Sequence, residues 1–165
     1  MRIAGIIKNS VVNGNGIRDV LFLQGCKHKC KGCHNPQTWK LNGGSWYGVM
    51  DLCGKFYTSK NDITISGGEP LLQYDELIVF MELMCKHQHK RFWLYTGFKY
   101  EEIEPWLLRQ LSKYVDVLVD GKFEEDKKDL TLRFRGSSNQ RLIDLPKTVE
   151  QGQIVLWEDV NEEVV

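Results

Sequence analysis

Apolar and polar positions divide this chain into two kinds of segment, short apolar runs and longer stretches with helical spacing. The runs are rich in β-branched and aromatic residues, which predicts strands. The predicted strands cover residues 2–8, 19–24, 62–66, 91–96 and 115–120, with two weaker ones at 142–143 and 154–157. Helical spacing predicts helices at residues 46–58, 73–88 and 100–113, the first capped by Ser45. In the second helix, Leu77, Phe80, Met81 and Met84 share one face, which we expect to be buried.

The order of these elements favours an α/β fold. Strands that alternate with helices form βαβ units, which assemble into a mainly parallel sheet. We expect a single domain over residues 1–165, in which residues 158–165 form a loose acidic tail. The run 19–24 is nearly continuous in its apolar character, as in a strand buried on both faces. Because α/β folds place their sites at strand carboxyl ends, residues just after such runs are candidates for chemistry.

Three cysteines, Cys26, Cys30 and Cys33, follow the run 19–24 at C-x-x-x-C-x-x-C spacing. Thiols this close in a short loop can converge on one inorganic centre. A structural zinc ion and an ordinary [4Fe–4S] cluster each take four protein ligands, whereas this motif supplies three. The residues therefore leave two interpretations open. Either a zinc ion is completed by His28 or His34, or a cluster is held with one iron open to a ligand.

Composition narrows the class of protein. The chain has five cysteines, and an odd number argues against a disulfide scaffold. Cys53 and Cys85 lie in apolar helical stretches, and we expect both to be core residues. Lys and Arg number 22, as do Asp and Glu, so no global field recruits nucleic acid. No apolar run approaches the roughly 18 residues needed to cross a bilayer. The first residues carry no signal-peptide pattern, and we expect a cytoplasmic protein without a membrane or nucleic-acid partner.

The cysteine motif is one of a series that resembles a known family. The series comprises residues 13–18 (NGNGIR), 26–33 (the cysteines), 33–39 (CHNPQTW), 67–70 (GGEP), 93–98 (WLYTGF), 116–123 (DVLVDGKF) and 135–140 (RGSSNQ). The cysteine spacing is similar to that of the radical S-adenosylmethionine (SAM) superfamily. The whole series, from Asn13 to about Leu145, resembles the activating proteins of anaerobic ribonucleoside-triphosphate reductases, which are glycyl-radical activating enzymes. Its last two motifs point to that family in particular.

This resemblance implies a fold and a reaction. A complete (β/α)₈ barrel typically needs around 250 residues, so a partial, open barrel of about six mainly parallel strands, of radical SAM type, is expected. Cys26, Cys30 and Cys33 would hold a [4Fe–4S] cluster whose open iron binds SAM. Reductive cleavage of SAM would give a 5′-deoxyadenosyl radical, which generates a glycyl radical on the anaerobic ribonucleotide reductase. An open barrel would admit such a protein substrate.

The resemblance also implies which residues contact SAM. Many radical SAM enzymes carry an aromatic residue just before the third cysteine, next to the adenine, but this chain has Gly32 there. The backbone of Gly32 and Cys33, together with His34, is expected to take that role. Gly67, Gly68 and Glu69 resemble the segment that binds the methionine end of SAM. In that segment the glycine backbone would approach the ligand closely and Glu69 would accept from the ammonium group.

Other residues also have expected roles near the site. Thr96 and Gly97 end a strand and are expected to line the cofactor. Arg18 would bind the SAM carboxylate or hold its own loop, and Asp120 is a site residue or a solvated turn residue. The loop 135–141 would face the reductase.

The basic residues of the cysteine loop suggest a second partner. Lys27, Lys29 and Lys31 alternate with the cysteines and could attract an acidic electron donor of the flavodoxin or ferredoxin type, or simply keep the loop solvated. Two rival functions remain. One is a small radical SAM enzyme that acts on a small molecule, like a deazapurine synthase, and the other is a zinc-binding module.

Overall fold

The structure, a computed structural model, describes residues 1–159 and contains a seven-stranded sheet within them. The strands are β1 (Arg2–Ser10), β2 (Arg18–Leu23), β3 (Ser45–Trp46), β4 (Asp62–Gly67), β5 (Phe92–Tyr95), β6 (Val115–Asp120) and β7 (Arg141–Asp144). The helices are α1 (Val49–Gly54), α2 (Tyr74–Gln88), α3 (Pro105–Leu111) and α4 (Leu145–Gln151). The strand order is β3-β1-β2-β4-β5-β6-β7, and the two end strands do not pair with each other, so the sheet is open.

The middle of the sheet is parallel. Strands β2, β4, β5 and β6 pair in parallel, while β1, β3 and β7 add antiparallel edges. In the β2–β4 register, Arg18 lies opposite Asp62 and Leu23 lies opposite Gly67, so the two strands end together. The carboxyl ends of the four parallel strands therefore meet at one edge of the sheet. This confirms the predicted α/β class with an open sheet that is parallel in its middle, although three of the six strand pairings are antiparallel and the sheet has seven strands instead of about six.

Alternation of side chains gives the two faces of the sheet different roles. Leu21, Leu23, Ile63, Ile65 and Leu94 point to the face covered by the helices and belong to the main core. The predicted face of α2 packs into that core, since Leu77, Phe80, Met81 and Met84 are all buried. On the other face, Phe22, Ser66 and Tyr95 line a cavity that opens to solvent. The sheet is thus a wall between a packed core and a site.

Two predicted helices are shorter than expected. Residues 45 and 46 pair with β1 as a short strand, so Ser45 is not a cap and α1 begins only after Gly48. The predicted helix over 100–113 is interrupted, because Pro105 cannot continue a helix from the preceding turn but fits the first turn of a new one. It therefore forms a single 3₁₀ turn, Tyr100–Glu102, followed by α3.

The carboxyl-terminal part of the chain also differs from its prediction. Helix α4 was not predicted from the sequence. Asp144 caps this helix, since its carboxylate accepts from the Lys147 N–H at 3.1 Å. The predicted strand over 154–157 is reduced to a single bridge between Ile143 and Leu156. Of the predicted loose tail, residues 160–165 lie outside the described residues, whereas Asp159 accepts from Arg133 at 2.6 Å. No helix within residues 1–159 is both long and apolar enough to span a membrane.

Candidate functional site

The cysteine loop leaves the carboxyl end of β2 and is fixed at its base. The Gly25 N–H donates to the Thr38 carbonyl at 2.7 Å, and the Cys26 N–H donates to the Trp39 carbonyl at 3.2 Å. Gly25 has φ of +102°, a left-handed conformation that favours glycine. The chain can therefore turn sharply out of β2 and return along itself. This places all the motif cysteines over the carboxyl edge of the parallel strands.

Cys26, Cys30 and Cys33 all line one cavity of about 450 Å³. Partial burial raises the pKa of the Cys26 and Cys30 thiols, and backbone N–H groups directed at the sulfurs act in the opposite sense. These donors are the amides of His28 and Lys29 at Cys26, of Phe123 at Cys30, and of Asn35 at Cys33, the last at 3.4 Å. Such N–H groups stabilise thiolate sulfur, which is the form that binds metal.

The residues around the cysteines differ from an ordinary single-metal site. Within residues 1–159, no three His, Cys, Asp or Glu side chains lie close enough together to hold one metal ion. The three sulfurs instead share the wall of a cavity that is much larger than an ion. In the same wall, the buried indole N–H of Trp39 has no hydrogen-bond partner among the described residues. Three thiols, their amide donors and an unpaired N–H fit a sulfur-rich cluster better than a single zinc ion.

Glu69 is the most heavily engaged polar group near the site. Its side chain is about 1% exposed. Its Oε1 accepts from the Leu71 N–H at 3.0 Å and from the Thr96 hydroxyl at 2.8 Å, and its Oε2 accepts from the Gly97 N–H at 2.8 Å. His28 Nε2 lies 2.8 Å from the same Oε2 and donates to it, because a carboxylate can only accept. Glu69 thus joins the cysteine loop to the ends of β4 and β5. The four donors from the protein itself already occupy the acceptor sites of the Glu69 carboxylate.

The contact between His28 and the end of β5 requires a glycine. A Cβ atom at Gly97 would lie 2.4 Å from His28 Cδ2. The imidazole also packs edge-on against Phe98, with 4.7 Å between ring centroids. The sequence suggests only one role for His28, that of a zinc ligand. Its role as a tie to Glu69 could not be found there, because the two residues are 41 positions apart.

Gly67 and Gly68 line the cavity with their backbone, but their missing side chains serve packing. A Cβ at Gly67 would lie 2.5 Å from the Leu23 carbonyl oxygen, and one at Gly68 would lie 2.3 Å from the Gly25 carbonyl oxygen. The Gly68 N–H also donates to the Leu23 carbonyl at 2.8 Å. These glycines therefore let the end of β4 lie directly against the base of the cysteine loop. Thr96 and Gly97 also line the cavity, as expected from the sequence.

The space beside Gly32 is filled from a distant part of the chain. A Cβ at Gly32 would lie 2.9 Å from Glu125 Oε1 and 3.2 Å from the Phe123 ring. Phe123 also stacks at a tilt on His34, with 5.0 Å between ring centroids, and lies against Gly136. Phe123, His34 and Gly136 all line the cavity. The structure therefore supplies an aromatic ring next to the third cysteine from the segment after β6. Sequence reasoning missed this role for Phe123.

The loop 135–141 holds that segment in place. Gln140 Oε1 accepts from the Gly136 and Ser137 N–H groups, and Gln140 Nε2 donates to the Gly121 carbonyl at 3.0 Å. Asn139 Nδ2 donates to the Lys122 carbonyl at 2.8 Å. Gln140 and Asn139 thus fix the backbone just before Phe123, which gives this loop a structural role at the cavity.

Asp120 and Arg18 are occupied elsewhere. The Asp120 carboxylate accepts from the Tyr100 N–H at 2.7 Å and from the Arg141 guanidinium, so it is a buried ion-paired residue instead of a solvated turn residue. Arg18 lies at the opposite end of β2, where it donates to Thr64 Oγ1 at 2.9 Å and to the Ile63 carbonyl at 3.0 Å. Because the Thr64 hydroxyl donates to the Asn13 carbonyl, Arg18 holds the loop before β2 and is not among the residues that line the cavity.

The other two cysteines lie away from the cavity lining. Cys53, on the buried face of α1, belongs to the core, as predicted. Cys85 is only partly buried at the end of α2, so the expectation of a core position for it was wrong. The last turn of α2 lies at the protein surface, where Lys86 and His87 are exposed.

Comparison with known proteins agrees with the site. Residues 12–143 match the family model described as "4Fe-4S single cluster domain". A protein of Salmonella typhimurium (strain LT2) is 39% identical over 140 residues, which cover 79% of this chain and 90% of the relative. Relatives from enterobacteria phage T4 and Escherichia coli (strain K12) are 38% and 36% identical over the same share of this chain, covering 86% and 90% of their own lengths. All three are named anaerobic ribonucleoside-triphosphate reductase-activating protein. This chain, with its 4Fe–4S domain, therefore belongs to the family of anaerobic ribonucleoside-triphosphate reductase-activating proteins.

Proposed function

We propose that this protein is a radical SAM enzyme that generates a glycyl radical on an anaerobic ribonucleotide reductase. The observation that carries the proposal is the shared cavity. Cys26, Cys30 and Cys33 line one space of about 450 Å³ at the carboxyl edge of the parallel strands, with backbone N–H groups directed at their sulfurs. Membership of the activating-protein family supports the identity of the target.

The three cysteines are the proposed ligands of the [4Fe–4S] cluster. Held by three thiolates, the cluster would have one iron without a protein ligand, which would be available to SAM. When bound and reduced, the cluster would supply the one electron that is needed to cleave SAM to methionine and a 5′-deoxyadenosyl radical. The chain contributes the amide donors, which favour the thiolate form, and a partly enclosed cavity that limits access of water.

The residues proposed to hold SAM lie around the rest of the cavity. The backbone of Gly67 and Gly68 and the end of β5 at Thr96 and Gly97 offer polar groups at the strand ends. Phe123, paired with His34, offers an aromatic face on which an adenine ring can stack. Cys33 lines the same region, whereas Gly32 lies behind Phe123 and is not among the residues that line the cavity. Glu69 supports this wall through His28 and the end of β5, and we assign Arg18 to the loop before β2 instead of to the SAM carboxylate.

A protein substrate suits this arrangement. The sheet is open and the cavity reaches solvent, so a polypeptide segment of the reductase can approach the SAM site. Abstraction of hydrogen from a glycine Cα would give 5′-deoxyadenosine and a glycyl radical. Glycine suits this step because no side chain blocks its Cα and its two flanking amide groups delocalise the radical. We place the reaction in the cytoplasm, with a flavodoxin- or ferredoxin-type protein as electron donor.

Label transfer tests the whole proposal. The cluster-loaded protein is reduced anaerobically and mixed with SAM and the anaerobic reductase. A doublet from one α-hydrogen should appear in the electron paramagnetic resonance (EPR) spectrum. Reductase deuterated at glycine Cα should collapse the doublet and pass deuterium into 5′-deoxyadenosine. If SAM is consumed without radical or label transfer, the proposal is wrong and the small-molecule rival is favoured.

Serine substitutions test the cluster ligands separately. Cys26→Ser, Cys30→Ser and Cys33→Ser should each lower the iron bound after anaerobic reconstitution, because each removes one proposed ligand. Cys53→Ser and Cys85→Ser are the matched controls, since neither thiol lines the cavity. These two variants should bind as much iron as the wild type. Loss of the cluster from either control, in a folded protein, would contradict the assignment.

A further inference from the structure

A second depression lies on the outer side of the cysteine loop. We call it the outer notch. Its volume is about 610 Å³, and it is lined by Cys26, Lys27, Lys29, Pro36, Trp39, Lys40 and Leu41. Its apolar part is open to solvent, since Leu41 is 53% exposed. An apolar depression surrounded by several charges of one sign is typical of a docking site for a protein of opposite charge.

The outer notch and the cavity share a wall. Cys26 and Trp39 are the two residues that line both spaces. A molecule bound in the outer notch would therefore be separated from the cluster site only by the side chains of this wall. It would also leave the cavity itself free, because it approaches from the other side of the loop. This is the geometry that a reductant needs if the cavity is to hold SAM and face the reductase.

The charges around the outer notch are unpaired and local. Lys27, Lys29 and Lys40 are exposed, and none forms an ion pair with a carboxylate within residues 1–159. The whole chain has a formal net charge of +0, so the positive charge of these three lysines is a local feature of the surface. Lys31 differs, because its Nζ lies 2.9 Å from Glu125 Oε2. The basic group predicted from the sequence thus loses Lys31 and gains Lys40.

From these observations we propose that the outer notch docks an acidic electron-transfer protein, which reduces the cluster through the Cys26 side of the loop. The inference rests on the proposed function for the existence of the cluster. In the transfer, the donor protein gives up one electron and the oxidised cluster gains it, with no bond made or broken. Lys27, Lys29 and Lys40 attract the donor's carboxylates, while Pro36, Trp39 and Leu41 provide the apolar contact.

The test uses cluster-loaded protein without SAM or reductase. Flavodoxin hydroquinone is the protein donor, and photoreduced deazaflavin is the small neutral reductant. Replacing all three lysines of the outer notch with glutamine should slow reduction by flavodoxin at least tenfold at low salt and weaken its binding similarly. Electrostatic steering commonly changes association rates by about 10- to 1,000-fold. The difference should nearly vanish at about 1 M salt, where the Debye length is roughly 3 Å. Reduction by deazaflavin should not change.

Two further variants make the test specific. Lys31→Gln removes a charge from the same loop outside the outer notch, and it should alter the rate less than twofold. Leu41→Ser should weaken flavodoxin binding without changing its salt dependence, because it removes apolar contact only.

The inference is wrong if flavodoxin neither binds nor reduces the wild-type protein, or if Lys31→Gln matches the triple variant. Equal slowing with both reductants would indicate an altered cluster and also refute it. Because reduction is measured without SAM, failure of SAM cleavage would refute the proposed function alone.

Discussion

Replacing Glu69 with glutamine tests whether this buried carboxylate supports the cysteine loop. The substitution keeps the shape of the side chain and exchanges one acceptor oxygen for an NH₂ group. Glu69 Oε1 can still accept from Leu71 and Thr96. The new NH₂ group would then face the Gly97 N–H, which donates to Oε2 at 2.8 Å in the wild type. One donor is left opposite another donor in a site that is about 1% exposed.

The expected loss of stability in Glu69→Gln follows from these contacts. Hydrogen bonds to a charged acceptor contribute about 1.5–3 kcal/mol each, and an unpaired buried N–H costs about 1–3 kcal/mol. Since the two effects overlap at Gly97, we expect Glu69→Gln to lower the free energy of unfolding by about 3 kcal/mol. For a chain of this length that corresponds to a decrease in Tm of roughly 6–12 °C. Thr96→Val removes a hydroxyl that donates to Glu69 Oε1 at 2.8 Å and accepts from the Phe98 N–H at 3.2 Å, and it should cost about 1–3 kcal/mol.

The assay is urea and thermal unfolding of the cluster-free protein, followed by circular dichroism. Glu150→Gln, at an exposed position, is the matched control and should change the unfolding free energy by less than about 0.5 kcal/mol. If Glu69 served only the SAM ammonium group, Glu69→Gln would leave this stability unchanged and would weaken SAM binding alone. A Glu69→Gln protein as stable as wild type would therefore refute the structural role.

Three other substitutions address the cavity wall, the cysteine loop and the ion pair between Glu101 and Arg141. Phe123→Ala should weaken SAM binding about tenfold in equilibrium dialysis, since a base–aromatic stack is worth about 1–3 kcal/mol, while Phe123→Tyr should not. Equal affinity of all three proteins would exclude stacking. Gly97→Ala places a Cβ 2.4 Å from an imidazole carbon of the cysteine loop and should reduce bound iron, whereas Gly54→Ala, with open space around it, should not. The Arg141 guanidinium lowers the pKa of Glu101 to about 2. Glu101→Gln should therefore lower the free energy of unfolding by less than about 1 kcal/mol at neutral pH. In urea titrations this difference should shrink as the pH falls from 4.5, the ordinary pKa of a glutamate, toward 2, because only the ionised carboxylate is stabilised by Arg141. A cost independent of pH would contradict this.

Local sequence was enough to predict most of the parallel sheet. The strand over 115–120 and the buried face of α2 have the predicted positions, because apolar periodicity reports burial directly. The predictions failed where a partner or a proline decided the outcome. Ser45 pairs with β1 instead of capping a helix, and α3 starts only at Pro105.

The cysteine motif illustrates what a sequence determines by itself. The spacing of Cys26, Cys30 and Cys33 restricts the loop to a length that can surround one centre, and the strand before it fixes the edge of the sheet on which the loop lies. Its proposed ligand chemistry follows from residue type, because thiols at this spacing can hold either a zinc ion or an iron–sulfur cluster. These features depend on neighbours in the chain, so no tertiary contact was needed to predict them.

Only the tertiary structure decided how the loop is held and what surrounds it. Glu69 contacts His28 across 41 positions, Phe123 fills the space beside Gly32, and Lys40 replaces Lys31 at the outer notch. Each of these pairs is brought together by the parallel register or by the return of a loop. Residue types alone do not determine which distant residues meet, because several strand registers would satisfy the same apolar pattern. Close packing of the glycines at the strand ends helps to select one register.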